Sequence, residues 1–162
     1  MKRSKHSLSN FKLLTGNMGE LLPIGMQEVL PGDTIQQSTT ALVRMNTLVA
    51  PVMHPTQVRI HHWFVPFRLI WDDWENFITG GPDGLNSSTM PYIATNGTNN
   101  AVGSLLDYLG APTTTSGLNI CALPLRAYAL IYNEFYRDQD LQTALTIDTT
   151  DGADTTTNTP RS

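Results

Sequence analysis

The sequence predicts a mainly β protein with helical insertions, built as one domain. Three observations predict it. Gly and Pro recur through residues 13–50 and divide them into short extended pieces. Residues 57–65 alternate between apolar and polar side chains, whereas residues 68–79 and 123–141 have helical periodicity. With 162 residues, the chain is long enough for one hydrophobic core but not for two.

The extended pieces lie in the first half of the chain. Pro31-Gly32-Asp33 predicts a turn, because Pro presets φ and Gly accepts a positive φ. Residues 34–49 then form an extended pattern. Residues 57–65 give the clearest strand, which Pro66 ends because it cannot donate to a ladder. The side chains predicted on one face of this strand are Val58, Ile60, His62 and Phe64.

Three helices are predicted, near residues 68–79, 102–109 and 123–138. The first carries carboxylates in its early turns, where the helix dipole favours them, and stops at a pair of glycines. The second closes at Gly110. The third has Pro in its first turn and apolar side chains around most of its circumference, so we expect it to be heavily buried. Its narrow polar stripe consists of Arg126, Asn133 and Arg137.

The predicted organisation is a basic flexible arm over residues 1–12, a domain over 13–145, and a Thr/Asp-rich loop or end over 146–162. Residues 82–101 and 112–119 are predicted loops within the domain. Two tripeptides in these loops match the glycosylation pattern, but without a secretory route they are interpreted as turns. They are Asn86-Ser87-Ser88 and Asn96-Gly97-Thr98.

Charge is distributed unevenly along the chain. Residues 1–68 carry seven Lys/Arg and three Asp/Glu, whereas residues 69–162 carry three and eleven. This asymmetry suggests that the first part meets a polyanion. Within it, the arm has no carboxylate and is a candidate for binding nucleic acid through phosphate contacts, with a solvated disordered tail as the open alternative. The candidate residues are Lys2, Arg3, Lys5, His6 and Lys12.

Two further surfaces are weaker candidates for function. The strand face that carries Arg59, His61 and Trp63 has charge and aromatic rings, as single-strand binders do, although burial against a neighbouring element explains it better. Asp72, Asp73 and Glu75 are close in sequence, but adjacent helical residues diverge, and a solvated helix N-terminus explains them better than an acid–base pair.

Other chemistry finds little support. No Cys, His or carboxylate set has the spacing of metal ligands, and no catalytic motif or cofactor fingerprint is present. The single cysteine, Cys121, lies in an apolar run and is predicted to be a small buried hydrophobe. No intrachain disulfide is possible, which suits a reducing compartment. The N-terminus lacks the pattern of a secretory signal, and no apolar run is long enough to span a bilayer.

Two long segments resemble a known family. WFVPFRLIWDDWENFITGG, residues 63–81, closely resembles a segment of the major capsid proteins of gokushoviruses, a branch of the microviruses, which are small single-stranded-DNA bacteriophages. LPLRAYALIYNEFYRDQDL, residues 123–141, resembles a second segment of the same proteins. The opening, from Ser7-Leu8-Ser9 to Pro31-Gly32-Asp33, is also similar.

The resemblance implies the N-terminal part of a viral jelly roll, an antiparallel β-sandwich with helical insertions. It implies a structural protein, not an enzyme, whose identical copies assemble into an icosahedral shell around circular single-stranded DNA. It further implies assembly in the bacterial host cytoplasm, a place in the virion, and contacts with other virion or scaffolding proteins. No membrane and no cofactor are implied.

Members of that family are much longer, so we expect open sheet edges and an exposed apolar face. The three tryptophans Trp63, Trp71 and Trp74 and the helix over 123–137 would then lack part of their packing. Two rival functions stay open. One is a carbohydrate- or receptor-binding β-sandwich module with its site in loops 82–101 and 110–119. The other is a small enzyme on a β scaffold.

Overall fold

The computed structural model describes residues 4–154. These residues form two compact units. Within the described residues, the first unit consists of residues 4–26 with 64–154, and the second is Gln27–Trp63. The helices and strands of the described residues all lie in the first unit. They are a 3₁₀ turn at Phe67–Leu69, helix α1 at Trp74–Thr79, strand β1 at Tyr92–Asn96, helix α2 at Leu105–Tyr108, strand β2 at Ser116–Cys121, helix α3 at Leu123–Ile131 and a π-helical turn at Tyr132–Tyr136.

Strands β1 and β2 form an antiparallel pair, which we call the hairpin, although helix α2 lies in the connection between them. Strand β1 lies within the predicted loop over 82–101, and β2 begins within the predicted loop over 112–119 and ends at Cys121. Tyr92 pairs with Cys121 and Ile93 with Ile120, and a bulge interrupts the register between Ala94 and Asn96. The prediction of loops throughout these segments was wrong. Ile93 and Thr95 point inward while their neighbours face out, but the Thr and Asn side chains conceal the alternation from a hydrophobicity count.

Helix α1 is shorter than the segment with helical periodicity. The 3₁₀ turn precedes it, and the chain between the two bends because the amide of Asp72 donates to the Thr149 carbonyl at 3.1 Å instead of continuing a helix. Gly80 then ends α1 in the left-handed conformation, at φ +85°. A tertiary hydrogen bond has therefore set the start of this helix.

Helix α2 is fixed by a reciprocal cap. The Ser104 hydroxyl accepts from the Asp107 amide at 3.3 Å, and the Asp107 carboxylate accepts from the Gly103 amide at 2.8 Å. Gly110, at φ +96°, follows the helix. Helix α3 has its proline in the first turn, as the sequence predicts, and passes directly into the π-helical turn.

Two hydrophobic clusters form the core of this unit. The first lies where α2, α3 and the hairpin meet, and its buried members are Ile93, Leu105, Leu106, Leu125, Tyr128, Ala129, Tyr132 and Leu145. The second lies between the start of α3 and the residues around Trp71, which we call the aromatic corner. Its buried members are Ile70, Trp71 and Leu123. Trp71 is 0% exposed and most of α3 is buried, so the expectation that both would lack packing was wrong.

Residues 27–63, described by themselves, contain no helix and no strand. The predicted strands over 34–49 and 57–65 are therefore absent, because a period-two pattern needs a paired ladder and a buried face, and here Ile60 alone is partly covered. The predicted turn is present: the Asp33 amide donates to the Leu30 carbonyl at 3.1 Å. His62, predicted on the same strand face as Ile60, is exposed, and its ring nitrogen Nε2 lies 3.0 Å from the Thr39 hydroxyl.

Cys121 is exposed, which corrects the prediction that it is buried. It ends strand β2 on the outward face of the hairpin, whereas its neighbour Ile120 turns toward the first cluster. Since side chains alternate across a strand, only one of these two adjacent residues faces the core.

Candidate nucleic-acid interface and its anchor

The basic arm begins outside the described residues, where Lys2 and Arg3 lie. Lys5 and His6 are exposed, and the His6 ring nitrogen Nε2 lies 2.9 Å from the Ser4 hydroxyl. Among residues 4–154, Lys5 makes no ion pair, so an approaching phosphate would not have to displace one there. The geometry thus leaves this part of the arm accessible to a polyanion.

Lys12 is placed differently from the rest of the arm. Its ammonium donates to the backbone carbonyl of Tyr108, and lies 3.4 Å from the carbonyl of Pro23. Burial lowers the pKa of Lys12, and the nearby carboxylate of Asp107 partly offsets that effect. The charge of Lys12 is therefore held against the body of the unit, at the point where the arm meets it.

Two tyrosine hydroxyls hold the segment that follows the arm. Tyr108 donates to the Thr15 carbonyl at 2.8 Å, and Tyr128 donates to the Leu21 carbonyl at 3.0 Å. Both rings are buried, so each hydroxyl needs a partner inside the protein. A hydrophobic pattern does not reveal these hydrogen bonds, because it treats a tyrosine as an apolar side chain. Their hydroxyls bind the segment that directly follows the arm. The arm is therefore anchored to the unit at its Lys12 end.

The polar stripe of α3 binds the end of the described chain, residues 148–154, which we call the strap. Arg126 donates through Nε to Asp154 Oδ2 at 3.0 Å, and both side chains are only 2% exposed. The guanidinium also donates to the carbonyls of Ile70, at 3.1 Å, and Thr150, at 2.9 Å. One buried arginine therefore joins the aromatic corner, α3 and the strap.

A second carboxylate of the strap reaches the aromatic corner. Trp71 Nε1 donates to Asp151 Oδ1 at 2.6 Å, and the Thr89 amide donates to Asp151 Oδ2 at 3.2 Å. Thr149 donates its hydroxyl to Asp72 Oδ2 at 2.7 Å. The Thr/Asp tract was predicted as a mobile loop, yet its described part is bonded to the core through these acidic side chains.

The strap also extends the hairpin. The Tyr92 amide donates to the Gly152 carbonyl at 2.9 Å, and the Asp154 amide donates to the Tyr92 carbonyl at 2.7 Å, which makes a parallel bridge at the free edge of β1. Within the strap, hydrogen bonds from Thr150 lower the pKa of Asp148. Because that pKa lies below its ordinary value in the folded chain, the contribution of Asp148 to stability is lost as the pH falls through it.

The rest of the polar stripe holds the segment between α3 and the strap. Asn133 donates through Nδ2 to the Leu145 carbonyl at 2.9 Å and accepts from the Leu145 amide at 2.8 Å. Arg137 donates to the Gln142 carbonyl at 2.8 Å. All three polar residues of the predicted stripe thus bind backbone or carboxylate of the returning chain.

The weaker candidate sites do not gain support from the geometry. Arg59 bonds Gln57 and His61 packs edge-on against Trp63, all exposed within residues 27–63. Asp72 is engaged by the strap. The two loops of the proposed carbohydrate site hold the hairpin. Within residues 4–154, no three His, Cys, Asp or Glu side chains converge as metal ligands, and no helix there is long and apolar enough to cross a membrane.

The chain is similar in sequence to known proteins. A family model described as "Capsid protein (F protein)" matches residues 1–161. The chain is 41% identical over 159 residues to "Capsid protein VP1" of Chlamydia phage 1, covering 93% of this chain and 27% of that protein. It is 41% identical over 157 residues to "Capsid protein VP1" of Bdellovibrio phage phiMH2K, covering 94% and 29%.

A third relative is more distant. "Capsid protein VP1" of Spiroplasma virus 4 is 33% identical over 151 residues, covering 90% of this chain and 27% of that protein. The chain therefore spans a little over a quarter of the length of the curated relatives it matches. The similarity runs along both units, including residues 27–63.

Proposed function

The chain belongs to the phage capsid protein (F protein) family, and from that premise we propose that it forms part of the wall of a small icosahedral virion shell built from identical subunits. The match over residues 1–161 carries this proposal. The role is structural and non-enzymatic, and the shell assembles in the bacterial host cytoplasm. Other virion or scaffolding proteins are further partners. The fold proposed for the full shell subunit is a jelly roll, to which the β1–β2 hairpin contributes.

The chemistry of the described residues supports a wall rather than a free enzyme. A buried ion pair from Arg126 and partly buried hydrogen bonds from Asp151 and Asn133 connect the strap and the segment before it to the helical part of the unit. Many large apolar side chains are exposed, and we propose that neighbouring protein in the shell covers them. Those at least four-fifths exposed are Phe11, Leu13, Leu42, Val49, Met53, Leu85, Val102 and Leu141.

The arm is proposed to bind the packaged single-stranded DNA. Lys2, Arg3 and Lys5 supply positive charge, and His6 lies beside them as a further hydrogen-bonding group; such contacts to phosphate are independent of base sequence. Lys12 belongs to the same proposed surface but lies at the anchored end of the arm, where two backbone carbonyls already accept hydrogen bonds from its ammonium. Its contribution to DNA binding is therefore expected to be smaller than that of the residues before it.

The salt dependence of DNA binding tests the arm. Replacing Lys2, Arg3 and Lys5 together by glutamine is expected to reduce the slope of log K against log salt by about 2, because each phosphate contact on single-stranded DNA adds roughly 0.7. The measurement is a fluorescence titration of an oligonucleotide at several salt concentrations, with the unchanged chain measured in parallel.

The matched control removes the same number of charges elsewhere. Arg44, Arg59 and Arg68 are exposed, and their joint replacement by glutamine is expected to leave most of the slope intact. If the two triple variants lose the slope equally, binding follows net charge and the arm has no special role. An unchanged slope in the arm variant would remove the arm from DNA binding altogether.

A further inference from the structure

The turn that leaves strand β1 contains Asn96-Gly97-Thr98, a motif that the shell function does not use. We propose that Asn96 is a self-modifying site, at which the backbone nitrogen of Gly97 attacks the side-chain amide carbon of Asn96 and converts it to an aspartyl residue. This proposal is independent of the capsid role, since it rests on the geometry of the turn alone.

Two backbone amides point at the oxygen on which negative charge develops. Asn96 Oδ1 accepts from the Thr98 amide at 2.9 Å and from the Asn99 amide at 2.8 Å. Both donors polarise the Asn96 amide carbon toward attack, and they stabilise the oxyanion of the tetrahedral intermediate. Fixed amide donors have this effect in the oxyanion holes of acyl-transfer enzymes.

The Asn99 side chain holds the donors in place. It donates through Nδ2 to the Ala94 carbonyl at 2.9 Å, and its Oδ1 accepts from the Asn96 amide at 3.1 Å. The turn is thus bonded on both sides of Asn96, so the donors need little reorganisation when charge appears. Gly97 adopts φ +80° and has no side chain to hinder approach of its nitrogen.

The reaction balances without any oxidant or cofactor. Hydroxide from solvent takes the proton of the Gly97 nitrogen, the bond from that nitrogen to Asn96 Cγ forms, and the bond from Cγ to Nδ2 breaks. The leaving nitrogen takes a proton from water and departs as ammonia, which leaves a cyclic imide. Water then opens the imide at either carbonyl, giving aspartate or isoaspartate.

The turn favours one of the two products. An aspartate carboxylate at position 96 accepts the same two amide hydrogens, now as stronger charge-assisted bonds. Isoaspartate inserts an extra carbon into the backbone and misplaces the pairing of Asn96 with Ser116. The expected product is therefore mainly aspartate, with one more negative charge on this turn.

The chain supplies its own reference site. Asn86 is also exposed and also begins a matching tripeptide, but Ser87 follows it, and its Oδ1 accepts from the Ser88 hydroxyl instead of from two backbone amides. Asn96 is the one asparagine in the sequence that glycine follows. Conversion is therefore expected at Asn96 while Asn86 stays intact.

The test follows conversion by peptide mass spectrometry during incubation of the folded chain at mildly alkaline pH. Asn96 is expected to convert faster in the folded chain than in a free peptide of residues 92–100, which lacks the held donors. Thr98→Pro removes one donor and is expected to slow conversion about two- to ten-fold, the effect of one hydrogen bond. Thr98→Ala keeps that amide and should convert at the original rate.

Either of two results from the peptide and the Thr98 variants overturns the proposal. One is an intact Asn96 in the folded chain after the free peptide has converted. The other is equal rates in Thr98→Pro and Thr98→Ala. Because the proline variant risks loosening the hairpin, the unchanged chain unfolded in urea serves as a second comparison. Conversion in urea as fast as in the folded chain also contradicts a role for the donors.

Discussion

Replacing Arg126 by methionine is expected to lower the free energy of unfolding by about 3–5 kcal/mol, because the carboxylate of Asp154 is then left buried without its cation. The carbonyls of Ile70 and Thr150 lose a donor in the same step. Urea unfolding of the dilute chain, followed by tryptophan fluorescence, measures the change.

A double variant separates the ion pair from simple loss of packing. Arg126→Met combined with Asp154→Leu is expected to recover much of the lost stability, since an apolar pair in place of a buried ion pair is often nearly neutral. Arg44→Met, at an exposed arginine, should change stability by no more than about 0.5 kcal/mol. A single variant no less stable than Arg44→Met would refute the role given to the strap.

Trp71→Ala is expected to cost about 3–5 kcal/mol as well, but for a different reason. The ring is 0% exposed and packs against Phe77, with ring centroids 4.9 Å apart, so its removal leaves a large cavity. Asp151 Oδ1 also loses its indole donor. The loss is measured as a fall in Tm and as loss of the near-ultraviolet circular dichroism of the aromatic corner.

The control makes the same substitution at another tryptophan. Trp63 is 42% exposed, and Trp63→Ala is expected to cost less than about 1 kcal/mol. Equal destabilisation by the two substitutions would show that the aromatic corner has no special packing. Trp71→Phe keeps most of the volume and is expected to fall between them, because only the indole donor and part of the ring are lost.

Local chemistry was predictable from the sequence wherever a few adjacent residues decide the structure. The turn at Asp33, the proline in the first turn of α3 and the glycine that follows α2 each act through their own backbone preferences. The heavy burial of α3 also followed from its apolar circumference. None of these features needs knowledge of a distant segment.

Long-range polar contacts were not predictable from periodicity. The Thr/Asp tract has little to bury, so its composition predicts a mobile loop, yet Asp151 and Asp154 bond to Trp71 and Arg126. One signal was present in the sequence. An arginine on an otherwise apolar helix needs a buried counter-charge, and the acidic tract downstream supplies it.

The strand predictions were wrong in two ways, for a related reason: two predicted strands are absent, and the two strands of the hairpin were not predicted. The alternation in residues 57–65 predicts which side chains share a face, but it does not supply a paired strand or a buried surface. In the hairpin, the inward positions are Ile93 and Thr95, and a hydroxyl there hides the pattern. Pairing depends on tertiary context, which alternation alone does not encode.

The central claim is that this chain is wall material of a virion shell. Electron cryomicroscopy of particles that contain this polypeptide tests it most directly. We expect density for residues 64–154 in the shell wall, with the buried Arg126–Asp154 pair intact and exposed apolar residues such as Leu85 and Leu141 covered by neighbouring protein. Particles whose wall contains no density for this chain would contradict it.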